Sequence, residues 1–449
     1  MFPYNSYSDY LLNFKFKRAE WEFVDLRIDI PPLSFGSDAM NPHTQYSNPI
    51  AFLNCQNFEA IGSSFTLGAG NNMICEAADL MVCQLEGKTI NDLINSTTGF
   101  YEQISNPPQI RWLSPNSGVP MMAAGLIINT LFDAASKNAG LPAWEYLAKL
   151  PTETILNLIS LKHMPSKFDK KKIEEILDQG LIGIEDRCNK IKKTGLPVYF
   201  TTWYGHDWQT ISDQISRVYS EKGIKQFKIK ISSQIQEDFQ KLVKISEMVP
   251  NDVKLCVDAN QTLSFPEAER WMKLLSENNF MWLEEPFAPD NLPLFKALIN
   301  SKNKNNFNCE IVTGENCPNH YLATALMEMG IDRFQSDPCR MLGLLDNIIV
   351  CCIAKISDCA ITPHAGGSSL DELSPHIQMF NLARVRTDIK PNETLTENVG
   401  FCSHFFSSST KVKNGMAFAP LSIGFLKGLE NRSEMGLKDY VKGVSWLEL

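Results

Sequence analysis

Six short apolar runs in this chain each end in side chains that could do chemistry. FKIKI carries Lys228 and Lys230, KLCVDAN carries Asp258, and MWLEEP carries Glu284. IVTGE follows with Glu315, RFQSD with Asp337, and AITPH with His364. Counted from Lys230, the successive separations are 28, 26, 31, 22 and 27 residues. A parallel strand with its helix and two loops needs about 30 residues, so each run reads as one strand of a barrel. In (β/α)8 barrels the strand ends converge on one carboxyl-terminal mouth. Two amines, four acids and an imidazole would then share that mouth.

Each residue type has a use there. Lys228 and Lys230 lie two apart on a strand and point the same way. Two crowded ammonium groups disfavour each other's charge, so at least one lysine is expected to titrate low enough to serve as a base. An isolated K-x-K is more often a solvated surface strand, and the regular acids downstream reverse that preference. Asp258, Glu284 and Glu315 end three consecutive runs. Crowded carboxylates repel unless a cation sits among them, and an all-oxygen set suits a hard ion such as Mg²⁺. One such acid alone would as readily cap a helix; the triplet favours a metal. Glu284 and Glu285 are adjacent, and strand alternation lets only one of them face the mouth. Asp337 bonded to one nitrogen of His364 would fix its tautomer and make the other nitrogen a proton donor or acceptor. The glycines of HAGGSSLDE let backbone approach closely, but no phosphate-loop or nucleophile-elbow motif accompanies them. Cys256 and Cys339 lie beside site residues without a partner histidine and read as core.

The elements that position these groups are legible in outline. Residues 21–70 alternate apolar and polar groups around WEFVDLRIDI and AFLNCQNFEAIGSSFTLG, which predicts a small antiparallel sheet, and GSDAMNPHTQYSNP between them reads as a loop. Residues 72–149 carry helical periodicity, with VPMMAAGLIINTLFDAASKNAG stopping at Gly140. Strand–helix alternation begins near 153, with TILNLISLK as the expected first strand. Ser264 and Glu267 form a capping box with Pro266 in the first turn. EDFQKLVKISEMV and LLDNIIVCCIAKIS read as barrel helices, and SKNKNNFN at 301–308 as a solvated loop. The expected division is an α+β capping domain over 1–152, a barrel over 153–406, and a tail over 407–449 that packs back on the cap.

A net charge of −9 speaks against a broad nucleic-acid surface. No run of about 18 consecutive apolar residues marks a membrane span. Residues 1–20 lack the order of a secretory signal, and Asp9 and the few arginines give a transit peptide little support. Twelve cysteines without C-x-x-C pairs fit a reducing compartment. The cytoplasm is the simplest expectation, with a mitochondrial address left open.

At K-I-K, D-A-N-Q, L-E-E-P, T-G-E and P-H-A-G-G, in this order and spacing, the chain resembles the enolase superfamily and its mandelate racemase-like group. That superfamily pairs a Lys or His base with Mg²⁺ stabilising an enediolate. The resemblance covers all but roughly the first 20 residues, and it selects Glu284 over Glu285. Within the group, GSDAM, SFTLGAG, IRWLSPNSGV, LPAWEYL and SDPCRMLG resemble the L-fuconate dehydratase family. The resemblance implies a (β/α)7β TIM-like barrel and one Mg²⁺ per subunit on Asp258, Glu284 and Glu315. It implies a sugar-acid substrate, Lys230 as base, Lys228 as electrostatic partner, and His364 with Asp337 as acid. It further implies substrate contacts at Gly36, Ser37, Asp38, Tyr46, Lys228, Glu315 and Glu397, with Glu393 as the competing match to Glu397, and a homo-oligomer. A racemase or epimerase of a hydroxy acid would use the same bases, and a non-catalytic protein on the same fold would be expected to have lost one of them. DANQTL lacks the basic-aromatic pair usual after DANQ, and TTWYGHD is shortened; both bear on the substrate rather than the proton-transfer residues.

Overall fold

The computed structural model describes residues 6–28, 46–203, 207–390, 394–400 and 410–426. The alternating segment near the N-terminus forms an antiparallel sheet in the order β1 (Trp21–Ile28), β2 (Tyr46–Cys55), β3 (Phe58–Ser63). Its register runs from Trp21 opposite Leu53 to Cys55 opposite Phe58. The helix Gly118–Asn138 lies against this sheet, and small residues let it come close. A Cβ on Gly62 of β3 would fall 2.7 Å from Leu126 O. On the barrel side, a Cβ on Gly125 would fall 2.5 Å from Met341 O. One helix therefore contacts the cap sheet and a barrel loop. By length and composition it could cross a membrane, but 89% of its most apolar window is buried inside the protein. It ends as the sequence predicts, with Gly140 at φ 68°.

The barrel strands are β4 (Leu196–Thr201), β5 (Gln226–Lys230), β6 (Lys254–Asp258), β7 (Trp282–Glu284), β8 (Glu310–Thr313), β9 (Arg333–Phe334), β10 (Ala360–Ile361) and β11 (Thr396–Asn398). From β4 to β10 each pairs in parallel with the next, and β11 pairs in parallel with β4. A helix follows each of the first seven, giving the (β/α)7β barrel with an antiparallel sheet in its α+β cap. The barrel is plugged by Tyr199, Cys256, Trp282, Val312 and Leu395, with Tyr199 and Trp282 edge-to-face at 5.2 Å. The capping box at Ser264 and Glu267 is present.

Two local expectations are corrected. TILNLISLK is not a strand: Thr152–Leu158 is a helix started after Pro151, and β4 comes about forty residues later. A short apolar run is ambiguous by periodicity alone, and here burial of Ile155 and Leu158 on one helical side decides it. Residues 301–305 are not loop either. They continue the helix Leu292–Asn305, whose stop is Asn306 at φ 54°. Beyond the barrel, the strands Val412–Lys413 and Met416–Ala417 form a hairpin on β4. The chain then reaches the N-terminal helices: Trp144 Nε1 donates to Pro420 O at 2.9 Å, and Phe425 N to Asp133 Oδ1 at 2.6 Å.

Arg384 fastens the segment entering the barrel. It is fully buried, yet among the described residues its hydrogen bonds go to carbonyls and a hydroxyl rather than to a carboxylate. Nε donates to Leu177 O at 2.6 Å, Nη1 to Leu150 O at 3.0 Å and to Ala148 O, and Nη2 to Thr152 Oγ1 at 2.9 Å. Replacing it with Met would orphan the buried Ala148 and Leu150 carbonyls, each costing about 1–3 kcal/mol, while Leu177 O keeps its place in the helix Lys170–Leu181. Arg384→Met should lose at least about 2 kcal/mol in urea unfolding; a loss under about 1 kcal/mol would show those carbonyls find other donors.

Candidate active site

Strand alternation sorts the site. Trp282 faces the barrel interior, so Glu284, two residues on, faces it too. Cys256 and Asp258 share an inner face in the same way, as do Lys228 and Lys230. Asp258, Glu284 and Glu315 are all buried and can offer one oxygen each within 4.8 Å of one another. Glu285 lies outside that cluster. Its carboxylate accepts from Gln261 Nε2 at 3.2 and 3.3 Å and from Asn316 Nδ2 at 3.0 and 3.2 Å.

The lysines sit among these acids. Lys230 Nζ is 2.5 Å from Asp258 Oδ2. Lys228 Nζ is 2.5 Å from Glu284 Oε1, 3.0 Å from Glu397 Oε1 and 3.7 Å from Asp258 Oδ2, and 5.6 Å above the centre of the Tyr199 ring. The expected lowering of a lysine pKa is not what these residues produce. Burial pulls both lysines down, but the facing carboxylates outweigh burial and mutual repulsion, and both are held above the ordinary value.

His364 Nδ1 is 2.7 Å from Asp337 Oδ2, whose Oδ1 accepts Cys339 N at 2.6 Å. His364 Nε2 stands 3.5 Å from Glu315 Oε2. Burial opposes charging of this imidazole, but Glu315 and Asp337 prevail and lift it to about 9. Gly366 is needed here, because a Cβ would lie 2.5 Å from His364 Nε2; a Cβ on Gly367 would strike the Phe65 ring of the cap. Glu397 accepts Ala365 N at 2.7 Å and the Thr201 hydroxyl. Burial would raise its pKa, yet Lys228, His364 and these donors bring it down to about 2.

The three-acid cluster fits a divalent cation. Its donors are hard oxygens, and among the described residues Glu315 Oε2 is buried without a hydrogen-bond partner. Burial and the neighbouring acids push Glu284 up to about 8 despite Lys228, so negative charge is in excess. The structure thus gathers Lys228, Lys230, Asp258, Glu284, Glu315, Asp337, His364 and Glu397. Gly36, Ser37, Asp38 and Glu393 lie outside the described residues, as does the side chain of Tyr46. Sequence reasoning missed Tyr199 and Thr201; placing β4 at LPVYFT would have found them.

Together these features describe a (β/α)7β barrel with acids, amines and an imidazole gathered at its mouth. Residues 210–426, which hold β5 to β11, match the enolase C-terminal domain-like family. It is 27% identical over 435 residues to human mitochondrial enolase superfamily member 1, covering 95% of this chain and 96% of the relative. The crystal structure of that human protein superposes with a TM-score of 0.84 at 26% identity, over 90% of this chain and 92% of the other. L-galactonate dehydratase of Hypocrea jecorina is 29% identical over 420 residues, 92% of each chain. L-talarate dehydratase from Polaromonas sp. JS666, solved with Mg and L-glucarate, shares the fold at TM-score 0.66 and 17% identity, over 92% of this chain and 96% of the other.

The two adjacent glutamates give a direct test by calorimetric titration with Mg²⁺. Glu284→Gln should weaken binding at least about tenfold, a loss of about 1.4 kcal/mol, while Glu285→Gln should stay within about threefold. The opposite ranking would move the third ligand to Glu285.

Proposed function

We propose that this chain is a Mg²⁺-dependent sugar-acid dehydratase, with L-fuconate as its substrate and 2-keto-3-deoxy-L-fuconate and water as products. One observation carries the reading: an amine and an imidazole flank a single buried carboxylate cluster, Lys230 on Asp258 and His364 beside Glu315. Asp258, Glu284 and Glu315 would hold Mg²⁺, whose charge would polarise the substrate carboxylate, acidify the adjacent C–H and compete with the ammonium groups for the acids, lowering the proton affinity of Lys230.

Lys230 then takes the α-proton at Nζ. Lys228, buried and pinned by Glu284 and Glu397, keeps its charge and stabilises the enediolate that forms. His364 delivers the proton from Nε2 to the departing 3-hydroxyl, with Asp337 holding Nδ1. The enol released by loss of water tautomerises to the 2-keto-3-deoxy acid. Glu397 holds Lys228 in the pocket for the substrate carboxylate. The segment carrying Gly36, Ser37, Asp38 and Tyr46 reads the distal hydroxyls. L-galactonate differs from L-fuconate only by a hydroxyl at C6, so the name of the Hypocrea jecorina relative supports this sugar class. Cysteines without a disulfide among the described residues fit a reducing compartment, cytoplasmic or mitochondrial.

The deciding experiment is a screen of acid sugars with Mg²⁺, scored for 2-keto acid. A keto acid from L-fuconate is the expected product; an inverted hydroxy acid would replace the reading with racemisation. Lys230→Ala should abolish both turnover and solvent exchange of the α-proton. His364→Asn should retain exchange while dehydration falls about 10³-fold. Exchange that survives in Lys230→Ala would assign the base elsewhere.

A further inference from the structure

The barrel has a seam. β10 pairs with β9 and β11 with β4, and among the described residues no ladder joins β10 to β11. These two strands lead to His364 and Glu397, so the width of the seam sets how those groups stand relative to each other. Side chains of the helix Leu370–Phe380 span it. Gln378 Nε2 donates to Ile361 O of β10 at 2.8 Å and to Leu395 O, just before β11, at 2.9 Å. Gln378 Oε1 accepts Asn381 Nδ2 at 3.1 Å.

Gln378 is fully buried, and both amide hydrogens are used on opposite sides of the seam. A flipped amide would set Oε1 against two carbonyl oxygens, so the orientation is determined. One turn earlier on the same helix face, Ser374 Oγ donates to His364 O. At the mouth, Ala365 N donates to Glu397 Oε2 at 2.7 Å. Side chains thus make bonds that a ladder would make elsewhere in the barrel.

We propose that Gln378 is a positioning residue whose carboxamide replaces the missing β10–β11 ladder and sets the placement of His364 relative to Glu397 and Lys228. The catalytic part of this inference rests on reading His364 as the proton donor; the clasp itself does not.

Two variants test it. Gln378→Met keeps the length and removes both donors, and Gln378→Glu sets a carboxylate against the two carbonyls. Hydrogen exchange by mass spectrometry should show the peptide containing Ala365 exchanging at least about tenfold faster in Gln378→Met, with β5 and β6 within about twofold of wild type. With Mg²⁺ and L-fuconate, dehydration kcat should fall about tenfold while KM and α-proton exchange stay within about twofold. Gln378→Glu should show the same pattern more strongly at neutral pH, and it serves alone if the Met variant fails to fold. Unchanged exchange at Ala365, or a uniform rise over all strands, would overturn the clasp. A parallel fall of α-proton exchange and dehydration would overturn the link to His364. If wild type neither exchanges nor dehydrates any acid sugar, the functional reading fails, and with it the link to His364, while the Ala365 measurement still decides the clasp.

Discussion

An imbalance of charge in a dry space governs this molecule. Lys228 faces three carboxylates at once, and Lys230 faces one of the same three. Two ammonium groups and one imidazole cannot neutralise Asp258, Glu284, Glu315, Glu397 and Asp337, all buried. Glu284 and Glu397 both touch Lys228, yet one is pushed up to about 8 and the other down to about 2. The difference lies in their other neighbours: Glu397 has a backbone N–H, a hydroxyl and His364, whereas Glu284 sits beside two further acids. The unfavourable charge therefore falls on Glu284, inside the Asp258–Glu284–Glu315 cluster, where an added cation would relieve it most.

The alternation of strand side chains carries this chemistry down into the fold. Tyr199, Cys256 and Trp282 form a floor, and the next inward residues above Cys256 and Trp282 are Asp258 and Glu284. Trp282 Nε1 donates to Glu284 Oε2 at 3.0 Å, so floor and site are bonded. The cap is fixed to the same structure. Asn129 on the helix Gly118–Asn138 donates to Ser63 O of β3 at 3.2 Å and to Pro338 O, next to Asp337, at 3.0 Å. Asn48 of β2 donates to Ser368 O at 3.0 Å, in the glycine-rich segment after His364. Both loops that present the Asp337–His364 pair are thus held from the cap.

Much of this was legible in the sequence because barrel chemistry repeats with the strand–helix unit, so spacing placed Lys230 through His364, while the choice of Glu284 over Glu285 came from the family resemblance. What failed has local causes. TILNLISLK and LPVYFT have similar apolar content, and nothing in a short run separates a buried helix from a buried strand; missing β4 meant missing Tyr199 and Thr201. SKNKN is polar on every side, yet it extends a helix already started. The direction of the lysine shifts was misjudged because K-x-K shows the repulsion between neighbours but not the distance to acids contributed by other strands. Gln378 carried no signal at all, since a glutamine on an amphipathic helix looks like surface until the seam beneath it is seen.

Glu285 shows how the cluster is kept in shape. It is a non-glycine residue at φ 42°, a conformation that costs about 1–3 kcal/mol and persists where the surroundings require it. The turn sends its side chain away from Glu284, and Pro286 follows at once. Burial and the nearby acids Glu315 and Asp258 hold its carboxyl well above the usual range. Its two amide donors come from Gln261, three residues after Asp258, and Asn316, next to Glu315. Glu285 therefore ties the loops after β6 and β8 together across the end of β7. Three carboxylates that repel one another need their backbones restrained from outside, and a strained glutamate between two amides supplies that restraint without adding an oxygen to the cluster.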